Sequence, residues 1–194
     1  MMTASLSSDN MLGLLDMSNI YADMQINLTD YQDEITCTLY TQGCRLHCPW
    51  CHNKQLWPET GAKYRFGDVI DFLDKQRVKP GAVAFSGGEP MLHAFQVIMD
   101  SCCLRNEGYK TILYTSRIGP DPTKFLTKSF DKIVLSVKGG PEFYGEATYI
   151  ELLNSVMMMS SIDFDLKVQV LESIHGEDTE RISGPFRKIS TVIN

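Results

Sequence analysis

From Ile35 to the C-terminus, strand-like and helix-like segments alternate, and that order limits the possible folds more than any other property of the chain. Ile35-Thr36-Cys37-Thr38-Leu39-Tyr40-Thr41 alternates in polarity and is rich in strand formers. Phe66, Val69, Ile70 and Leu73 recur at helical spacing, which predicts a helix over 67–77 that Lys79-Pro80-Gly81 stops. Ala82 to Phe85 reads as a second strand, and Ser86-Gly87-Gly88-Glu89-Pro90 as the turn after it. Ala94, Val97, Ile98 and Cys102 mark the next helix, closed near Gly108. Further strands are read over 111–115, 132–137, 164–171 and 188–193, further helices over 122–129 and 149–159, and a polar loop over 175–185. This order implies parallel strands joined by crossover helices, hence the α/β class. Residues 1–24 are rich in Met, Ser and Asp without a clear period, so they read as a loose leader with one short helix around Leu14. Residues 25–194 read as a single domain.

In parallel sheets chemistry gathers at the carboxyl ends of the strands. A cysteine-rich loop follows the first strand, a Gly-Gly-Glu turn the second, Thr115-Ser116 the third and Lys138 the fourth. Each unusual segment therefore falls where one site could collect them.

A length of 194 residues with 43% hydrophobic content suits one core. A net charge of −6 and the lack of any Lys/Arg run argue against nucleic acid or an anionic membrane as partner. No apolar stretch approaches the ~20 residues of a membrane span. The N-terminus lacks the basic start and apolar core of a signal peptide. A cytoplasmic setting follows, where clustered cysteines serve metals more often than disulfides. Of the six cysteines, Cys37, Cys102 and Cys103 are scattered and read as ordinary buried small residues.

The other three lie in Gly43-Cys44-Arg45-Leu46-His47-Cys48-Pro49-Trp50-Cys51-His52-Asn53. Thiolates are the usual iron–sulfur ligands, and four normally complete a cubane. Three leave one iron open to an exogenous ligand. A structural zinc site wants four ligands, usually in two pairs. His47 or His52 could supply the fourth, so counting alone leaves zinc open.

The C-x3-C-x2-C spacing, with aromatic Trp50 just before the third cysteine, resembles the radical S-adenosylmethionine (SAM) superfamily. The resemblance implies an α/β fold of the partial (β/α)6 TIM-barrel type with parallel strands. It implies a [4Fe–4S] cluster on Cys44, Cys48 and Cys51, with SAM as second cofactor. Ser86-Gly87-Gly88-Glu89-Pro90 is similar to the superfamily's Gly-Gly-Glu motif, whose backbone receives the SAM ammonium; Glu89 either helps neutralise that ammonium or fixes the turn. Lys138 matches the lysine of an Asp-x-Lys tripeptide and would pair with the SAM carboxylate, although Ser136 stands in place of its aspartate. Thr115 matches a motif in which Tyr114 replaces an aspartate. The residues so implied to contact SAM are Trp50, His52, Gly87, Gly88, Glu89, Thr115, Ser136 and Lys138. No side chain is implied to act as acid or base.

Leu28-Thr29-Asp30-Tyr31, Tyr40-Thr41-Gln42-Gly43-Cys44, Cys51-His52-Asn53, Gly108-Tyr109 and Leu113-Tyr114-Thr115-Ser116 extend the likeness. Their succession resembles the activating proteins of anaerobic ribonucleoside-triphosphate reductase, although relatives read Asp-Tyr-Pro-Gly where this chain has Asp30-Tyr31-Gln32-Asp33. That resemblance implies an oxidoreductase that reductively cleaves SAM at its cluster and generates a glycyl radical on a partner reductase. It also implies a flavodoxin- or ferredoxin-type electron donor. Two alternatives stand beside it. One is a radical SAM enzyme with a small-molecule substrate, such as a 7-carboxy-7-deazaguanine synthase. The other is a non-enzymatic Fe–S or zinc binding module, to which Ser136 and Tyr114 would point.

Overall fold

A computed structural model describes residues 18–28, 34–116, 123–160, 165–170 and 191–193. The short helix read around Leu14 and the loop read over 175–185 lie outside them. Among the described residues, seven strands form one sheet in chain order: β1 (Tyr21–Asn27), β2 (Thr36–Thr41), β3 (Ala82–Gly87), β4 (Lys110–Thr115), β5 (Lys132–Val137), β6 (Asp165–Val170) and β7 (Thr191–Ile193). From β2 to β7 each strand pairs in parallel with the next. The intervening segments include α1 (Phe66–Asp74), α2 (Ala94–Asn106), α3 (Thr123–Ser129), the one-turn α4 (Pro141–Tyr144) and α5 (Glu146–Ser160). Parallel neighbours in sequential order, joined by crossovers of one hand, place the helices on one face of the sheet. The other face is left to line the hollow of an open barrel.

The two faces differ as that arrangement requires. Cys37 and Leu39 of β2, Val83 and Phe85 of β3, Leu113 of β4 and Ile133, Leu135 and Val137 of β5 pack with Phe66, Val69, Leu73, Val97, Leu104 and Leu126 of the helices. Phe85 meets Phe130 edge-on at 5.7 Å, and each such buried ring contributes about 1.5–3 kcal/mol. The opposite face carries the small cluster Ala82, Ala84, Ile112 and Val134, with Tyr114 packed against it.

β1 departs from the sequence expectation. It pairs antiparallel with β2, so the boundary drawn at residue 24 cuts through a strand. Its outer residues Asp23, Gln25 and Ile26 are exposed, as suits an edge strand. With so few core positions it lacks a clean period-two signal. The α4 turn was likewise not foreseen. Cys37 is fully buried as expected, but Cys102 and Cys103 are only partly so. Among the described residues no helix is long and apolar enough to cross a membrane.

α2 buries two polar residues, Asp100 and Ser101, beside Val97 and Leu104. Ser101 Oγ donates to the Ser129 carbonyl at 2.6 Å. Asp100 accepts from the Tyr21 hydroxyl at 2.5 Å and from Gln96 Nε2 at 2.7 Å, which ties β1 to α2. Burial pushes the Asp100 carboxyl up from 3.8 to about 7, against the pull of these two donors. The folded chain therefore holds a proton that the unfolded chain releases. Stability on this account is greatest below pH 3.8 and is lost as pH rises through about 7. Urea unfolding of the cofactor-free chain at pH 5 and pH 8 should show the wild type losing stability over that window and Asp100→Asn losing less. Identical pH dependences would contradict this assignment.

Candidate cofactor site

Hydrogen bonds of the protein itself shape the cysteine loop. Gln42 leaves β2 with its backbone N–H on the Ile20 carbonyl at 2.8 Å and its side-chain amide on the Pro58 carbonyl at 2.7 Å. His93 Nε2 lies 2.6 Å from the Gln42 carbonyl. The Gly43 and Cys44 N–H groups then donate to the Leu56 and Trp57 carbonyls at 2.8 and 3.1 Å. Residues 42–44 and 55–58 thus lie side by side and close the loop at its base. Within it Cys51 N–H bonds the Cys48 carbonyl at 2.9 Å, and Asn53 N–H points at Cys51 Sγ at 3.3 Å. His47 takes a left-handed conformation (φ 48°) and lays its ring 4.8 Å from that of Trp57.

Cys48 is buried, and Cys44 and Cys51 are half-buried. Burial pushes the Cys44 and Cys48 thiols up. The Leu46 N–H opposes this at Cys44, and the Lys138 ammonium opposes it at Cys48. Cys51 acts on both of these thiols and Cys44 on Cys48, which places the three within electrostatic reach. Burial thus favours the protonated form of Cys44 and Cys48, and binding a metal group must expel those protons.

The Gly-Gly-Glu turn interlocks with this loop. Gly87 has φ 108°, and a Cβ there would sit 2.4 Å from the Thr41 nitrogen. A Cβ on Gly88 would sit 2.2 Å from the Gly43 carbonyl oxygen. Gly87 is thus required by contact with the end of β2 and Gly88 by contact with the start of the cysteine loop, beyond the ligand approach expected from the motif. Gly88 N–H donates to the Thr41 carbonyl at 2.9 Å, and Glu89 N–H to the Gly43 carbonyl at 2.8 Å.

Glu89 is buried, and its carboxylate is taken up by the protein. One oxygen accepts from Thr115 Oγ1 at 2.5 Å and from the Met91 N–H at 3.0 Å; the other accepts from the Ser116 N–H at 2.9 Å. Of the two roles open in the sequence, fixing the turn is the one these bonds perform. They cap the 3-10 turn Pro90–His93 and tie β3 to the end of β4. Burial raises the Glu89 carboxyl, while the three donors and Lys138 pull it down.

A cavity of about 660 Å³ opens at the carboxyl ends of β2 to β5. Cys44, Cys48, Trp50, Cys51 and His52 line one side; Gly87, Gly88, Glu89, Thr115, Ser136 and Lys138 line the rest, with Tyr114 and Ser116. The fold thus brings to one cavity every residue that the resemblance implies holds the cluster or contacts SAM. His47, one histidine considered as a fourth zinc ligand, is exposed and packs against Trp57. Among the described residues no three Cys, His, Asp or Glu side chains come together to hold one metal ion. The donor set fits an iron–sulfur cubane, in which each thiolate binds a different iron. The remainder of the cavity fits a zwitterionic, ring-bearing ligand, with Lys138 for a carboxylate and the 42%-exposed Trp50 for a flat ring.

Tyr144 was missed in the sequence. Its hydroxyl accepts from the Lys138 backbone N–H at 2.8 Å, just behind the cavity wall. A tyrosine four residues after Gly140 carries no recognisable motif, so only the fold brings it to light.

Comparison with known proteins agrees with this geometry. Residues 34–118 match a family model described as a 4Fe-4S single cluster domain. That span runs from β2 through the end of β4 and includes the three cysteines and the Gly-Gly-Glu turn. A 7-carboxy-7-deazaguanine synthase of Synechocystis sp. is 34% identical over 133 residues, covering 68% of this chain and 58% of that protein. A pyruvate formate-lyase-activating enzyme of Clostridium pasteurianum is 30% identical over 129 residues, covering 63% of this chain and 53% of that enzyme. The chain thus spans little more than half the length of these two relatives. In three dimensions the fold matches the crystal structure of QueE from Escherichia coli, with a TM-score of 0.58 at 16% identity, over 96% of this chain and 99% of that one.

Gly88→Ala tests the interlock. The added methyl has no room against the Gly43 carbonyl, so the cysteine loop must shift, at a cost of about 1–3 kcal/mol. The variant should melt earlier and take up less iron on anaerobic reconstitution. Wild-type iron content and melting would contradict the interlock.

Proposed function

The chain belongs to the radical SAM superfamily and has its partial-barrel fold, and from that premise we propose that it is a radical SAM enzyme acting on a small molecule, in the manner of a 7-carboxy-7-deazaguanine synthase. The observation that carries the reading is the meeting of three thiols, the glycine turn and Lys138 around one cavity. Its cofactors are a [4Fe–4S] cluster and SAM. Bound together, they supply one-electron reductive cleavage of SAM and hence hydrogen-atom abstraction, with the electron drawn from a flavodoxin- or ferredoxin-type donor.

The protein's own part is binding, orientation and exclusion of water. Cys44, Cys48 and Cys51 would hold the cluster, and three thiolates leave one iron for SAM. The backbone at Gly87 and Gly88 would face the SAM ammonium. Ser136 offers a hydroxyl group where relatives place an aspartate, while Thr115, which matches the motif, is held on Glu89. Lys138 would meet the SAM carboxylate, and Trp50 and His52 would flank the adenine. Burial of Glu89 in its own hydrogen bonds keeps the wall of this pocket rigid.

One point supports a small-molecule substrate over the activation of anaerobic ribonucleoside-triphosphate reductase: the Synechocystis synthase is 34% identical over a stretch covering 68% of the chain. The Cys51-His52-Asn53 flank and the 30% identity to the Clostridium activase keep a glycyl-radical partner as the second reading.

The test is anaerobic. The cluster-loaded, dithionite-reduced chain is given SAM and the substrate of the Synechocystis synthase, and 5′-deoxyadenosine and 7-carboxy-7-deazaguanine are quantified. Both should form, and both should fall at least ~100-fold in Cys48→Ala, because an incomplete ligand set cannot hold the cluster. 5′-Deoxyadenosine without 7-carboxy-7-deazaguanine would overturn the substrate and leave the superfamily chemistry standing. Neither product from a loaded, reduced cluster would overturn the enzymatic reading.

A further inference from the structure

The β4–β5 ladder ends at the Thr115–Leu135 pair, yet both chains continue to the cavity wall at Ser116 and Lys138. A side chain joins them there. The Tyr144 hydroxyl accepts from the Lys138 N–H at 2.8 Å and donates to the Ser116 carbonyl at 3.4 Å. One phenol thus spans the two strand ends where backbone pairing has stopped.

The turn that supplies Tyr144 is itself held from both sides. Lys138-Gly139-Gly140 leads into α4, and a Cβ on Gly139 would lie 2.4 Å from Phe143 Cβ. The Tyr144 ring stacks on buried Tyr149 at 6.4 Å and meets Phe143 edge-on at 5.0 Å. Phe143 in turn lies 5.7 Å from Trp50, which sits between the second and third cysteines. A row of four aromatic rings therefore runs from α5 across α4 to the cysteine loop. Burial pushes the Tyr144 phenol up, so the hydroxyl keeps its proton and can both donate and accept.

We propose that Tyr144 is a positioning residue of the cofactor cavity: its hydroxyl pins the ends of β4 and β5 at the spacing that sets Ser116 and Lys138 on the wall, while Phe143 carries the same turn onto Trp50. This inference rests on the reading of the cavity as the SAM and cluster site. Tyr144 itself does not line that cavity, so it acts through Lys138, Ser116 and Trp50.

Tyr144→Phe keeps the ring and removes both hydrogen bonds. Two measurements on the full chain test it. In the cofactor-free protein, amide hydrogen exchange at Lys138 should quicken about tenfold in the variant, as loss of one local hydrogen bond predicts. In the cluster-loaded, reduced protein, SAM is titrated while the EPR spectrum of the cluster is followed. The midpoint of the spectral change should move to about tenfold higher SAM, with iron content unchanged. Phe143→Leu should raise the midpoint through Trp50 without quickening the Lys138 amide, and it decides the matter should Tyr144→Phe not fold. A folded, iron-replete Tyr144→Phe chain with exchange and midpoint within ~twofold of wild type would overturn the proposal. A wild-type cluster whose spectrum ignores SAM would instead overturn the cofactor reading, and the exchange measurement would still decide the Tyr144 bond.

Discussion

The close approach of two backbones, Gly43 at the start of the cysteine loop and Gly88 at the end of β3, is what the rest of the site depends on. A Cβ on Gly88 would fall 2.2 Å from the Gly43 carbonyl, and the same carbonyl accepts the Glu89 N–H at 2.8 Å. This contact fixes where the loop carrying Cys44, Cys48 and Cys51 stands relative to the sheet. It also sets the Glu89 carboxylate where it can reach across to Thr115 and Ser116. One backbone junction therefore registers three neighbouring strand ends against one another. Further along, Tyr144 extends the registration to β5 by a side chain. The β4–β5 ladder ends at Thr115–Leu135, and the Tyr144 hydroxyl joins the two chains beyond it.

The electrostatics follow from that packing. Carboxylate, thiols and phenol are all partly or wholly withdrawn from water, and burial pushes the Glu89, Cys44, Cys48 and Tyr144 groups toward their protonated forms. Lys138 works against this at Glu89 and Cys48. The cavity thus presents one lysine, several hydroxyls and an already satisfied carboxylate. That balance favours a ligand bringing a carboxylate and flat ring surface.

Much of this was legible in the sequence because it rests on local spacing. Cys44, Cys48 and Cys51 announce themselves by interval, and Ser86-Gly87-Gly88-Glu89-Pro90 by its place after a strand. The alternation of strands and helices then required their meeting at one end of the sheet, and the cavity lining bears that out. What escaped depends on contacts between distant segments. β1 is an edge strand with few buried positions, so its pattern is weak. The motif accounts for Gly88 by the approach of a ligand, whereas the contact that demands it is with Gly43, 45 positions earlier in the chain. Asp100 looks like a solvated helix charge until the fold buries it against Tyr21. Tyr144 acquires its role from where the β4–β5 ladder ends, which no local pattern encodes.

An anaerobic crystal structure of the chain loaded with iron, sulfide and SAM, with anomalous data at the iron edge, tests the central claim most directly. The account predicts a four-iron cluster held by Cys44, Cys48 and Cys51, with SAM on the open iron between the Gly87-Gly88 turn and Lys138. A single metal ion on these cysteines with a histidine as fourth ligand, or SAM bound away from Gly88 and Lys138, would contradict it.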